Sequence, residues 1–272
     1  MVKSVSTDDF FPSQRLFENS KSDKWWISPL AQFLLLIAFG AYTIWAMFTH
    51  LTAEGIEFYK FNQYISPIFS PEIPQLEPLF FSLTGMHWSL SPAFFLIWAP
   101  LGFRATCYYA RRIYYRIFFM DPPGCAVGEI SLLRKYYKGE KQWFPIPFIL
   151  NNLHRYFLYL ALILAAFHWV DVLQALIFPD GSIGLGIGAI IIFLDAFFLT
   201  LYVSSCHAFR HLIGGNLDCY SCSKVRYKGW RLVSKLNNNH HIFFWLSLVF
   251  VVIADLYIRL LVSGIIYDWR LI

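Results

Sequence analysis

Five stretches of the sequence are long and apolar enough to cross a lipid bilayer, which requires about 20 residues of helix. They run approximately over 27–50, 88–113, 147–176, 184–212 and 240–267. Charged residues make up only 14% of the chain, against about 25% in soluble globular domains. In lipid, such segments satisfy their backbone polar groups as helices. The sequence therefore predicts an all-α integral membrane protein, a bundle of five transmembrane helices.

The second stretch departs most from a simple membrane span. Pro92 and Pro100 interrupt it, and Arg104 lies before its end. Neighbouring helices can satisfy the backbone groups that a proline leaves free, so this stretch is still predicted to span the membrane.

The charges of the connections predict the orientation. The connection 51–87 has Lys60 against four glutamates, whereas 104–147 has eight lysines and arginines and 210–239 has six. Positively charged connections stay in the cytoplasm. We therefore expect a multi-pass protein of the cytoplasmic (inner) membrane, with a cytoplasmic N-terminal arm over 1–26 and the C-terminus outside. The segment 213–239 is predicted to be a cytoplasmic basic loop.

The segment CHAFRHLIGGNLDCYSC combines two histidines with a Cys-x-x-Cys pair. His207 and His211 are four residues apart and share a helix face, and the glycines that follow allow the chain to turn back. We predict that Cys219 and Cys222 complete a four-ligand metal set. Cys206 and Cys125 are possible substitute ligands. On the predicted topology every cysteine lies near the cytoplasm, where disulfides are rare, so metal binding or packing explains them better.

Three interpretations of this set remain open from the residues alone. It could be a structural zinc site or a Rieske-like [2Fe–2S] centre. Alternatively, the histidines bind haem or headgroups and the cysteines merely pack. Spacing favours zinc or no cluster over iron–sulfur, because zinc sites are commoner and soluble Rieske motifs alternate the two ligand types. With zinc, the protein would be a membrane scaffold without a redox role.

Haem b needs one histidine from each of two helices at matching depth. His50 or His87 could pair with His168 in the outer layer, and His154 with His207 in the inner layer. The second predicted span has no histidine in its interior, so a complete set for two haems is not available in its usual distribution.

Ionisable residues also occur within the predicted spans, at Asp171, Asp195, Asp255 and Arg259. Such groups usually face the interior of a bundle. Asp255 and Arg259 are four residues apart and are predicted to pair on one helix face.

Four segments resemble a known family: RATCYYARRIYYRIFFMDPPGCAV, NNLHRYFLYLAL, SCHAFRHLIGGNLDCYSC and KLNNNHHIFFWLSLVFVVIADLYIRL. The chain is similar to the membrane-anchor (cytochrome b-like) subunit of actinobacterial-type succinate dehydrogenase, also called succinate:quinone oxidoreductase or complex II. The similarity covers about residues 100–268 and agrees with five spans.

The resemblance implies an oxidoreductase subunit that performs no succinate chemistry itself. It would dock a flavoprotein and an iron–sulfur subunit, in a complex that could form a higher oligomer, and pass electrons to menaquinone or ubiquinone. This redox role shifts the preferred occupant of the predicted metal set to a [2Fe–2S] cluster. Quinone and membrane lipid, not nucleic acid, are the other expected partners.

A quinone site needs a hydrogen-bond donor beside an apolar, aromatic pocket. On the inner side, His154, Arg155 and Tyr156 lie at the level of the predicted metal set. On the outer side, His87 and Trp88 offer a similar combination.

Overall fold

The computed structural model describes residues 24, 26–50, 57–71, 93–118, 146–215 and 219–272. Most of them are helical. The helices are α1 Ile27–Phe48, α2 Ala93–Leu96, α3 Trp98–Thr106, α4 Tyr108–Phe118, α5 Ile146–Ala175, α6 Ile187–Ser204, α7 His207–Gly214, α8 Lys224–Asn237 and α9 His240–Val262. A hairpin of β1 Lys60–Phe61 and β2 Tyr64–Ile65, followed by a 3-10 turn at Pro67–Phe69, adds a small non-helical part to the predicted all-α fold.

Four of these helical segments are long and apolar enough to cross a membrane: α1, residues Asn152–Ala175 of α5, α6 and α9. Each matches one of the predicted spans. Their outward surfaces expose large apolar side chains such as Leu35, Ile163 and Phe193. Exposed apolar surface on helices of this length suits contact with lipid.

The second predicted span, 88–113, is divided where the structure describes it. Residues 93–118 form α2, α3 and α4 in succession, and each is too short to span a bilayer alone. Pro100 has no N–H to donate to the preceding turn, and α2 ends just before this point. At Cys107 the backbone becomes extended, with ψ 136°, and α4 begins at the next residue.

Helix α6 packs against both α9 and α5. Helix α5 also packs against α3, and α1 packs against α4. The hairpin closes one end of the bundle; we call the hairpin and the residues up to 71 the outer connection, after the side of the membrane that the sequence predicts for it. Tyr64 is buried against Gly188, where an added Cβ would lie 2.6 Å from the tyrosine ring. Its hydroxyl donates a 2.6 Å hydrogen bond to Asp268. Burial, and then this hydrogen bond, raise the pKa of Tyr64.

The predicted pair of Asp255 and Arg259 is confirmed, with Nε 2.7 Å from a carboxylate oxygen. Both residues are buried. Tyr42 from α1 and Ser66 from the outer connection also donate to the carboxylate. The guanidinium donates in addition to carbonyl oxygens at the end of α1. One ion pair thus joins α9, α1 and the outer connection.

Replacing Arg259 by Met should destabilise the protein strongly, because it leaves the Asp255 carboxylate buried without its cation. Loss of one partner of a buried pair typically costs about 3–5 kcal/mol. The unfolding midpoint in detergent, measured by thermal or denaturant titration, should fall clearly.

The matched control is Arg270→Gln, which removes the exposed pair of Arg270 with Asp180 at 3.4 Å. Exposed pairs contribute only about 0–1 kcal/mol, so its midpoint should stay near that of the wild type. Equal midpoints for the two variants would contradict a stabilising role for Arg259.

Candidate functional site

The predicted metal ligands form two separate pairs. His207 and His211 are exposed on α7, with their Nε2 atoms 3.2 Å apart. Partial desolvation, followed by the nearby His211 and Arg210, lowers the pKa of His207. Cys219 and Cys222 form a disulfide with a Cα–Cα distance of 5.4 Å. The expectation that these thiols stay unpaired was wrong, because residues three apart in a tight turn can come within disulfide range.

The two pairs do not converge on one site. Among the described residues, which omit 216–218, no group of three or more His, Cys, Asp or Glu side chains is arranged to hold a metal ion. Helix α8 covers the end of α7 instead. Trp230 occupies the space beside Gly214, where an added Cβ would lie 2.2 Å from its ring. Arg226 donates to the carbonyl oxygens of Ile213 and Gly215.

A different combination of two thiols and two imidazoles lies inside the bundle, and we call it the inner set. It comprises Cys107, His154, Cys206 and His240. The sulfur of Cys206 is 2.9 Å from Nε2 of His154, and the sulfur of Cys107 is 3.3 Å from Nε2 of His240. Both cysteines and His154 are buried, and His240 is partly buried.

Each cysteine of the inner set occupies a break between two helices. Cys107 separates α3 from α4, and Cys206 separates α6 from α7, with extended backbone at both positions. The break at Cys206 is held by Asn237 of α8, whose side chain donates a 2.7 Å hydrogen bond to the Ser205 carbonyl. The two histidines come from regular helix, His154 from α5 and His240 from the start of α9.

Hydroxyl groups orient both imidazoles. Thr106 Oγ1 is 3.0 Å from Nδ1 of His154, and Ser205 Oγ is 2.8 Å from Nδ1 of His240. In each case the other nitrogen, Nε2, faces a sulfur. Metal-binding histidines are commonly fixed in this way, with the second nitrogen held by a neighbouring polar group.

The two halves of the inner set are braced crosswise. Thr106 precedes Cys107 but contacts His154, whose other nitrogen faces Cys206. Ser205 precedes Cys206 but contacts His240, whose other nitrogen faces Cys107. Aromatic rings complete the enclosure: Phe103 stacks on His154 at 4.6 Å, and Tyr202 stacks on His240 at 5.2 Å.

A cation lies beside the inner set. The Arg104 guanidinium is 4.5 Å from the centre of the Tyr202 ring and donates to Ser247. It interacts electrostatically with Cys107.

Sequence reasoning missed the inner set because its members are spread over 133 residues. The sequence predicts Cys206 only as a substitute ligand and His154 only as a quinone or haem ligand. It does not single out Cys107 or His240. The available signal was a repeated pair of residues, Thr106-Cys107 and Ser205-Cys206. Both pairs combine a hydroxyl with a thiol near the cytoplasmic end of a predicted span.

The remaining predicted residues occupy varied positions. Nδ1 of His50 is 2.8 Å from the Met47 carbonyl oxygen, and Nδ1 of His168 is 3.2 Å from Asp195. Arg155 and Tyr156 are exposed, although the adjacent His154 is buried. His87, Trp88 and Cys125 lie outside the described residues. The haem and quinone assignments stay predictions.

Comparison with known proteins identifies the family. A model described as actinobacterial succinate dehydrogenase subunit SdhC matches residues 27–264. The structure also resembles a chain of the Mycobacterium smegmatis Sdh1 complex in the apo form, with 34% sequence identity and a TM-score of 0.77. The similarity covers 97% of this chain and 98% of that one. No curated protein matches. The chain belongs to the SdhC family of membrane subunits of actinobacterial succinate dehydrogenase.

Proposed function

We propose that this subunit accepts electrons from the soluble subunits of succinate dehydrogenase and delivers them to a membrane quinone. The observation that supports the proposal is the inner set, because its two thiols and two imidazoles lie together in an oxidoreductase subunit and are the ligand types of a Rieske-like cluster. The partners would be a flavoprotein that oxidises succinate and an iron–sulfur subunit that relays the electrons.

The orientation of the bundle follows from charge. Helix α8 has five lysines and arginines and no acidic residue. Helix α8 comes shortly after the end of α6, where the inner set lies. Because positively charged segments stay in the cytoplasm, this supports a cytoplasmic position for α8 and for the inner set. A positive surface there can orient an acidic partner face. We further propose that α2–α4 belong to a fifth membrane segment in the cytoplasmic membrane.

The chemistry of the inner set fits a [2Fe–2S] cluster better than a zinc ion. A structural zinc site gathers four donors around one ion, whereas the donors of the inner set form two separate sulfur–nitrogen contacts. Each iron of a [2Fe–2S] cluster takes only two protein ligands. The two thiols and two imidazoles of the inner set match that number and, as in a Rieske centre, the two imidazoles would share one iron and the two thiolates the other.

The proposed ligands are therefore Cys107, His154, Cys206 and His240. They do not include the His207–His211 pair on α7 or the Cys219–Cys222 disulfide. A bound cluster would supply one-electron transfer, and imidazole ligands raise its potential relative to an all-cysteine cluster. Thr106 and Ser205 would hold the two imidazoles in the orientation that exposes Nε2. The aromatic rings of Phe103 and Tyr202 would exclude water from the donors.

Cys206→Ser and His240→Gln should each remove the cluster from the purified complex. The expected result is loss of the broad visible absorption, of the EPR signal after reduction, and of about two iron atoms per complex. The soluble subunits carry iron of their own, so the membrane subunit expressed alone in membranes gives the cleaner spectrum.

The matched variants are His211→Gln, which alters the histidine pair on α7, and Cys222→Ser, which removes the disulfide. They should keep both the signal and the iron. Loss of the signal in these variants and its retention in Cys206→Ser would assign the cluster to the loop. Sharp absorption bands would indicate haem, and zinc in colourless, iron-free protein would indicate a structural site.

Electron transfer to quinone should depend on the inner set, whereas succinate oxidation should not. In the Cys206→Ser complex, reduction of a quinone by succinate should fall at least about a hundredfold, because one step of the electron path is lost. Oxidation of succinate by a water-soluble dye, which takes electrons from the soluble subunits, should keep the wild-type rate. Equal activity of this variant with quinone would contradict the proposal.

A further inference from the structure

One buried carboxylate in the membrane interior has an imidazole beside it instead of a permanent cation. Asp195 is in the middle of α6 and is fully buried. Neither of its carboxylate oxygens accepts a hydrogen bond among the described residues. Its nearest ionisable neighbour is His168 of α5, whose Nδ1 is 3.2 Å from Oδ2. A carboxylate at this depth is costly, and such groups usually have a function.

The contrast with Asp255 shows that burial alone does not explain this arrangement. Asp255 is equally buried, but a permanent cation and two hydroxyl donors compensate its charge. Asp195 faces an imidazole, which can gain or lose a proton near neutral pH. The first arrangement suits a structural ion pair. The second can hold a proton on either partner.

Further ionisable groups continue from this pair toward the outer side. Asp171 lies one turn beyond His168 on α5, is buried, and interacts electrostatically with the imidazole. It accepts a hydrogen bond from Ser70 of the outer connection. The groups that face His168 are thus Asp195 from α6 and Asp171 from its own helix.

Arg104 continues the series toward the inner side. It interacts electrostatically with both Asp195 and Cys107, and its guanidinium lies over Tyr202. Ionisable or polar groups therefore extend from the outer connection to the inner set. Outside this series, the same helices expose apolar side chains such as Phe193 and Ile163 to their surroundings.

We propose that Asp171, His168 and Asp195 form a proton relay from the outer side of the membrane to the bundle interior. The inference rests on the proposed reduction of a quinone, which consumes two electrons and two protons to form a quinol. A proton from the outer solution binds Asp171 and moves to the His168 imidazole. The Nδ1–H of His168 then protonates Asp195, and the reduced quinone takes that proton from Asp195 as it becomes the quinol. The electrons come from succinate through the soluble subunits.

The relay predicts the side of the membrane from which protons disappear. Inverted membrane vesicles containing the whole complex expose the succinate site to the medium and enclose the outer side. The pH dye pyranine is trapped inside, cyanide blocks quinol oxidation, and valinomycin with K⁺ prevents a membrane potential. Addition of succinate and a short-chain quinone should make the lumen alkaline in step with quinone reduction.

Asp195→Asn keeps the shape of the side chain but cannot carry the proton. It should abolish the lumenal pH change and slow quinone reduction about tenfold or more. His168→Gln, on the other helix, should do the same. Oxidation of succinate by a water-soluble dye reports assembly and should be unchanged. The matched control is Thr200→Val on α6, which removes a hydroxyl bonded to Trp169 and should behave as the wild type.

The possible failures are distinguishable. Quinone reduction by the wild type without a lumenal pH change would overturn the relay and leave the electron-transfer function intact. Wild-type rates and pH changes in both Asp195→Asn and His168→Gln would also overturn it. Absence of any succinate-dependent quinone reduction in the wild type would overturn the proposed function, and the relay with it.

Discussion

Inside a bilayer, only the protein itself or a bound group can compensate a polar side chain, because water is absent. The Asp255–Arg259 pair meets this requirement with a cation, two hydroxyl donors and helix-end carbonyls. It thereby joins α9 to α1 and to the outer connection.

The same requirement separates structural polar groups from candidate functional ones. The permanent charge of Arg259 compensates the Asp255 carboxylate, so protonation of this carboxylate would only weaken the ion pair. At the inner end, by contrast, each imidazole lies between a hydroxyl and a thiol. We propose these thiols and imidazoles as metal ligands and the hydroxyl groups as their supports. Asp195 lies between the two regions, and its ion-pair partner among the described residues is an imidazole.

Helix breaks are as important for the inner set as the helices. A continuous helix through Cys107 or Cys206 would keep the backbone in the α conformation, whereas both residues are extended. The preceding hydroxyl residue can then serve one histidine while the cysteine faces the other. The divided second segment, α2–α4, is therefore part of the proposed site, although it looked like the poorest of the predicted spans.

The sequence by itself determined the membrane class, four spans, the pairing of Asp255 with Arg259 and the family, because these depend on local composition, helical spacing or extended similarity. It did not determine the metal donors. The His207–His211 and Cys219–Cys222 pairs are close in sequence, yet α8 fills the space between α7 and the turn. Cys107, His154, Cys206 and His240 are distant in sequence. Only the packing of α3, α5, α6 and α9 brings them to one level, since contacts between helices depend on shape and depth that local patterns do not encode.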